Sequence, residues 1–380
     1  MKAAMKRINN TKNKLRALLI ICGAICAFLS FFLIQRAVMI NDIAKQIEIS
    51  TPNGIESLEY VEIGGIKQAV LIRGLDVDNP ILLVLHGGPG YPEIASQRGS
   101  FLEEYYTVVN FDQRLSGKTR YANDVKGVEE SDSVEIRVRD VIELSEYLCE
   151  RFDRRKITLY GVSWGSILGV HAVKERPDLF SAYIGVSQVS NHHTALQLAY
   201  EKALILAEES GNKKDIAALE KLAPYPGEFN DDTYYRWWRV QQITKQYTNT
   251  PLTLNAGGIA EGFWPQCYSP YYSLREALYF PAQDLAMLTG AGLNEAAAGY
   301  MFDEFDLRNI GLDYDVPIIL SNGEFDWVTP PILIQDVFDD ISAPYKSYHI
   351  YSGAGHGYNQ SHFFEIMTNE AYGFALDDNN

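Results

Sequence analysis

The stretch Tyr160-Gly161-Val162-Ser163-Trp164-Gly165-Ser166 leaves the chain few ways to fold around it. Lys156 to Tyr160 is a short, β-branched apolar run of the kind found in buried parallel strands. Ile167 to Arg176 carries helix formers and stops at Pro177, where a helix cannot continue. Between them Gly161 and Gly165 flank Ser163 at the spacing Gly-x-Ser-x-Gly. A serine on so tight a strand-to-helix turn sits in a strained backbone conformation, and side chains two residues to either side would collide. The turn lifts the hydroxyl clear of the sheet. It also puts the next residue's N–H at a helix N-terminus, where negative charge is stabilised. The pattern alone also fits an ordinary glycine-rich turn; the strand before it and the helix after it favour a candidate nucleophile.

The first forty residues obey different rules. Lys2, Lys6, Arg7, Lys12, Lys14 and Arg16 precede eighteen uncharged, mostly apolar residues, Ala17 to Ile34. As a helix that run is about 27 Å long, close to the hydrocarbon thickness of a bilayer. A buried globular helix would show a second, polar face, and none is present. A cleaved signal peptide would have a shorter apolar region and a small-residue cleavage site, which Gln35-Arg36 and the isoleucines before Cys22 and Cys26 do not provide. An uncleaved transmembrane anchor is the preferred reading, with the basic end cytoplasmic and the remainder outside. Beyond residue 40 the chain carries 26 basic against 49 acidic residues, a formal charge of −23. Such a surface argues against nucleic acid or anionic lipid as the ligand. Cys149 and Cys267 could bridge in an exported domain, but two buried thiols are the more ordinary state.

Residues 41–57 read as a linker. Leu58 to Ile63 and Lys67 to Ile72 alternate about Gly64-Gly65, the pattern of an antiparallel hairpin. Ile81 to Leu85 and Thr107 to Phe111 follow as strands, and a helix with an apolar face spans Ser131 to Phe152. Ala182 to Val186 is the sixth strand. The alternation then stops: residues 190–305 hold helical segments rich in Ala, Leu, Tyr and Trp. Strand and helix resume at Val316 to Leu320, Pro331 to Ile341 and Lys346 to Tyr351, with a closing helix around Ser361 to Phe374. The expected architecture is an α/β core (58–189 and 306–380) with a mostly parallel sheet, a helical lid (190–305) inserted after the sixth strand, and the anchor (1–40) in front.

A serine nucleophile needs a base, an orienting acid and donors for the oxyanion. In a sheet of this kind such residues sit at the carboxyl ends of strands in the order Ser, Asp or Glu, His. Glu324 and Asp326 lie on the loop after one late strand, and Asp326, further past the strand end, is the preferred partner. His356 lies on a glycine-rich loop after the last strand and is the expected base. The other six histidines, His192 among them, are better read as packed or solvent-exposed. His86-Gly87-Gly88-Pro89-Gly90 follows the third strand, and residues lacking Cβ let a backbone approach a carbonyl. Gly88 and Trp164 are the expected oxyanion donors.

These stretches, together with Asp112-Gln113-Arg114-Leu115-Ser116-Gly117-Lys118-Thr119 and Gly323-Glu324-Phe325-Asp326, resemble the α/β-hydrolase superfamily and, within it, the proline iminopeptidase group. The tryptophan after the serine and the Asp-Gln-Arg stretch are more specific to that group than the elbow. The resemblance covers residues 58 to 375 and implies an α/β-hydrolase fold and a serine peptidase that removes an N-terminal residue, typically proline, from short peptides, with no metal or other cofactor. Two departures stand out. Leu115 replaces the first glycine of Asp-Gln-Arg-Gly-Ser-Gly, for which only local backbone adjustment is expected. In the lid, where the group places an acidic side chain after a tryptophan pair to bind the substrate's α-ammonium, Trp237-Trp238 is followed by Arg239. An arginine repels an ammonium and attracts a carboxylate or a neutral acyl chain. Glu261 resembles a second acidic lid position and could serve instead, or be a solvated carboxylate; Trp238 is a candidate pocket wall. Three readings follow: a proline-releasing aminopeptidase acting on small peptides, an esterase or other acyl hydrolase, and a catalytically silent binding module. A serine at the elbow argues against dehalogenase or epoxide hydrolase chemistry, which uses aspartate there.

Overall fold

The computed structural model describes residues 2–97, 99–230, 232–247, 266–289 and 294–377. Eight strands form one sheet in the order β1-β2-β4-β3-β5-β6-β7-β8. They are β1 (Ile55–Ile63), β2 (Ile66–Gly74), β3 (Ile81–Leu85), β4 (Thr107–Phe111), β5 (Ile157–Val162), β6 (Phe180–Val186), β7 (Ile318–Gly323) and β8 (Lys346–Tyr351). β2 pairs antiparallel with β1 and with β4, and every other pairing is parallel. The central strands β3 to β7 are buried along their whole length, as continuous apolar runs require when both faces are covered. Two cores result. One face packs under α4 (Val134–Phe152) and α5 (Trp164–Glu175), the other under the C-terminal helices around Phe363, Ile366 and Met367.

The hairpin turn falls at Gly64-Gly65, both at positive φ (59° and 72°), the conformation a two-residue turn between twisted strands demands. After β6 the chain leaves the sheet and forms α6 (His192–Glu209), α7 (Lys213–Glu220) and α8 (Thr233–Tyr247), with further helix at Leu274–Ala277 and Tyr279–Thr289. The ends of this excursion are tied together: Leu307 N–H donates to the Ser190 carbonyl at 2.8 Å, and Asn191 Nδ2 donates to Asp306 at 3.0 Å.

The expected linker is the main departure. Helix α1 runs from Lys2 to Gln46, so residues 41–46 are helical, and β1 begins at Ile55, inside the stretch read as connecting chain. Burial explains both. Phe32, Arg36, Ile40, Ile43 and Ile47 are the positions of this stretch that are withdrawn from solvent, and their spacing puts them on one helical face. Ile43 and Ile47 join a core with Ala69, Leu71, Ile94, Tyr271, Tyr279 and Phe280. In β1, Glu56 pairs with buried Arg73 at 2.8 Å, which draws the strand's start into the structure. The stretch Asn13–Gln46 is apolar and long enough to be a candidate membrane span, and its most apolar window is wholly unburied. Cys149 and Cys267 are free thiols.

Candidate active site

Ser163 sits at φ 52°, ψ −118° between β5 and α5, the strained conformation the turn imposes on a residue with a Cβ. Its N–H donates to the Val186 carbonyl at 3.0 Å, and its carbonyl accepts from Ser166 N–H and Oγ at 2.8 and 2.6 Å. The flanking glycines are spatial requirements. A Cβ on Gly161 would lie 2.6 Å from the Gly165 carbonyl, and one on Gly165 would run into the Leu85 carbonyl at the end of β3. Gly165 therefore lets the elbow and the loop after β3 lie backbone against backbone. Gly87 on that loop packs against the serine, an added Cβ falling 3.4 Å from Ser163 Cβ and 4.0 Å from its Oγ. Gly88 follows at φ 123°, a conformation closed to other residues.

Asp326 and His356 meet. Nδ1 of His356 donates to Asp326 Oδ2 at 2.9 Å, and the Asp326 side chain is fully buried. The remaining lone pairs of the carboxylate are occupied: Oδ1 accepts from Val328 and Thr329 N–H at 2.9 and 2.8 Å, and Oδ2 from Thr329 Oγ1 at 2.7 Å. Such a set holds a carboxylate in one orientation and leaves Nε2 of His356 as the free ring nitrogen. Glu324 faces elsewhere, accepting from Ser352 Oγ and Gly353 N–H at 3.1 and 2.9 Å. The two loops touch at Gly323, where a Cβ would strike the Gly355 carbonyl beside His356. Ser163 Oγ and His356 are not joined by a hydrogen bond among the described residues, and nucleophile–base contacts are often long or poorly aligned before the transition state.

Behind the serine a buried network ties three segments together. The Trp164 indole donates to Gln113 Oε1 at 3.0 Å, and Gln113 Nε2 donates to the His86 carbonyl at 3.0 Å. Gln113 N–H donates to His86 Nε2 at 3.2 Å, so the ring proton is on Nδ1, which donates to the Gly87 carbonyl at 2.9 Å. Burial pushes the His86 imidazole down to about 4, in keeping with this neutral role. Next to Gln113, Asp112 accepts from Lys118 N–H at 2.7 Å and from the Tyr272 hydroxyl, and burial raises its carboxyl to about 7. Arg114 forms a paired contact with Asp140, both distances 2.9 Å. Leu115 is at φ 62°: it adopts the left-handed conformation that glycine takes freely instead of adjusting away from it, with its side chain buried.

The lid candidates fare differently. Glu261 lies outside the described residues. Trp238 is half-buried on α8, and among the described residues its ring contacts are with Tyr235 at 6.3 Å and with the Arg239 guanidinium at 6.0 Å, both on the same helix. Trp237 packs into the main core instead.

Sequence reading missed two contributors. Thr329 braces Asp326 through backbone and hydroxyl, foreshadowed only by the turn residues Thr329-Pro330-Pro331. Gly323 permits the two loops to cross, a role its place in Ser-Asn-Gly-Glu does not disclose. His192, read from the sequence as packed or solvent-exposed, is packed: at the start of α6 it is buried edge-on against Phe302 at 4.7 Å, with no hydrogen-bond partner for Nδ1 among the described residues. Burial pushes its imidazole down to about 3, the nearby His356 adding to the effect.

The architecture has counterparts among known proteins. A family described as the alpha/beta hydrolase fold matches residues 80–359, and the chain belongs to that family. Probable aminopeptidase YbaC of Bacillus subtilis (strain 168) is 40% identical over 162 residues, 42% of this chain and 50% of the relative. A proline iminopeptidase of Arabidopsis thaliana is 36% identical over 105 residues, 27% of this chain and 24% of the relative. The chain thus spans half or less of the length of these two relatives. Among solved structures, VinJ superposes with a TM-score of 0.59 at 17% identity, over 86% of this chain and 100% of VinJ. The proline iminopeptidase of Mycobacterium smegmatis gives 0.55 at 19% identity, over 85% and 99%. At such identities the likeness is one of fold.

Proposed function

We propose that the protein is a serine hydrolase that removes N-terminal, prolyl-type residues from short peptides through an acyl-enzyme. The observation that carries this reading is the 2.9 Å bond between His356 Nδ1 and Asp326, with Ser163 strained on its elbow against Gly87. Ser163 Oγ attacks the carbonyl while His356 Nε2 takes its proton. The new C–O bond forms as the carbonyl electrons move onto oxygen, where the N–H groups of Gly88 and Trp164 receive the charge. Collapse expels the amine, protonated by His356, and water repeats the sequence to free the acid. Asp326 fixes the tautomer that leaves Nε2 facing the serine and stabilises the imidazolium. Helix α1 anchors the enzyme, with its basic end cytoplasmic and the catalytic domain outside.

Likeness to an aminopeptidase and to a proline iminopeptidase supports the peptide substrate. One feature favours a second reading, a hydrolase of esters or other acyl groups: Arg239 offers a cation beside Trp238 where an ammonium would have to be met. Turnover of prolyl and other aminoacyl amides, N-blocked versions of them and short acyl esters separates the two. Release confined to free N-termini supports the first; ester turnover alone, or indifference to blocking, supports the second.

A further inference from the structure

The end of the anchor helix is built into the support behind the serine. Arg36, two residues beyond the apolar run, donates from Nε to the Cys267 carbonyl and from Nη2 to the Tyr272 carbonyl, both at 2.8 Å. The Tyr272 hydroxyl donates in turn to the buried carboxylate of Asp112. Asp112 adjoins Gln113, which holds the Trp164 indole and the His86 carbonyl. Two more cations grip the same lid segment. Lys118 Nζ reaches the Tyr271 carbonyl at 3.0 Å and Glu276 at 2.8 Å; Arg73 donates to Tyr271 Oη and to the Ile47 carbonyl, each at 2.5 Å. Segment 267–276 is thus clamped between the last turns of α1 and the Asp112–Lys118 loop. Its attachment to that loop is tight, since a Cβ on Gly117 would meet both the Tyr272 hydroxyl and Asp112.

We propose that the membrane anchor is a working part of the catalytic unit, with Arg36 and Tyr272 as positioning residues for the loop behind the elbow. A helix that served only as a tether would end at the bilayer and leave flexible chain behind it. Here the helix continues, its inward face lies on the domain, and its one cation there satisfies two carbonyls of the segment whose tyrosine holds Asp112. One backbone step from Asp112 to Gln113 and two side-chain bonds of Gln113 then lead to the Trp164 indole and to the His86 carbonyl, next to the glycines after β3. Loss of Arg36 frees segment 267–272, loosens the Tyr272 hydroxyl from Asp112, and lets Gln113 shift the indole and His86 together. The proposal rests on Ser163 being the nucleophile, and it touches neither the nucleophile nor its base.

The test uses the full chain in detergent micelles and the rate at which a fluorophosphonate labels Ser163, which requires no knowledge of the natural substrate. Arg36→Ala and Tyr272→Phe should each slow labelling about 10-fold or more, as small displacements of catalytic groups do. The double variant should be no slower than the slower single one, because both break one chain of contacts. Arg36→Lys, which keeps a donor, should recover part of the rate. A purely structural role would instead lower the unfolding temperature and leave labelling far below that temperature at the parental rate. Tyr272→Phe retains its ring in the core, so it decides the matter even if Arg36→Ala does not fold. Parental labelling rates in both single variants, or effects that multiply in the double variant, overturn the inference. Absence of labelling in the parent protein is a different result, which overturns the serine mechanism itself.

Discussion

The loops of the candidate site, here its floor, and the helical segments inserted after β6, here the lid, are held in place by different kinds of constraint. On the floor, Ser163, Asp326 and His356 ride on loops fixed by close approach to backbone: Gly165 against Leu85, Gly87 against the Val162 carbonyl, Gly323 against Gly355. In the lid, Trp238 and Arg239 sit half-buried on α8, and among the described residues their ring contacts are with each other and with Tyr235. Floor geometry admits almost no substitution without movement, whereas lid chemistry can be rewritten one side chain at a time. On the proposed serine-hydrolase reading, the floor sets the reaction class and the lid the choice of substrate.

If this contrast holds, mutational effects should fall in a defined order. Ser163→Ala should lower kcat on the order of 10⁵-fold with the unfolding midpoint nearly unchanged, since only a hydroxyl is lost. Asp326→Asn should cost on the order of 10⁴-fold by favouring the wrong histidine tautomer. Its pH–rate profile should show the change where a folding defect would not. Gly323→Ala tests the crossing of the loops. Its methyl group has no room beside the Gly355 and Ala354 carbonyls, so stability should fall by about 1–3 kcal/mol and displaced His356 should lose about 100-fold in kcat. Trp164→Phe leaves Gln113 Oε1 buried without its donor, and urea denaturation should register a loss of about 1–3 kcal/mol. The smallest effect belongs to the lid. Arg239→Glu should leave ester hydrolysis within about twofold and raise the preference for free over blocked N-termini by about 3- to 10-fold, the range of a partly solvated charge. An effect on ester turnover as large as that of Gly323→Ala would erase the distinction between floor and lid.

The same division decides what the sequence discloses. Glycines at fixed distances from strand ends, the order Ser163, Asp326, His356, and runs such as Ile81 to Leu85 express backbone constraints, and these leave marks in sequence. The choice of Asp326 over Glu324 followed from position along the loop, and Asp326 is the carboxylate that meets His356. Thr329 left no comparable mark, because a threonine after an acid is an ordinary turn residue until its hydroxyl is seen on Asp326. Leu115 was expected to cause local adjustment, yet it keeps the glycine-like φ because its side chain gains a buried site. The stretch expected to be a linker differs for a further reason. Ile43 and Ile47 look like any residues near a helix end, and only the core formed by Ala69, Leu71 and the lid tyrosines shows that the helix had a surface to lie on.

The most direct test of the account is to treat the full-length protein with a fluorophosphonate and map the modified peptide by mass spectrometry. A single adduct on Ser163, lost in Ser163→Ala and slowed severely in His356→Ala, is the predicted result. An unmodified protein, or an adduct on any other residue with Ser163 untouched, would contradict it.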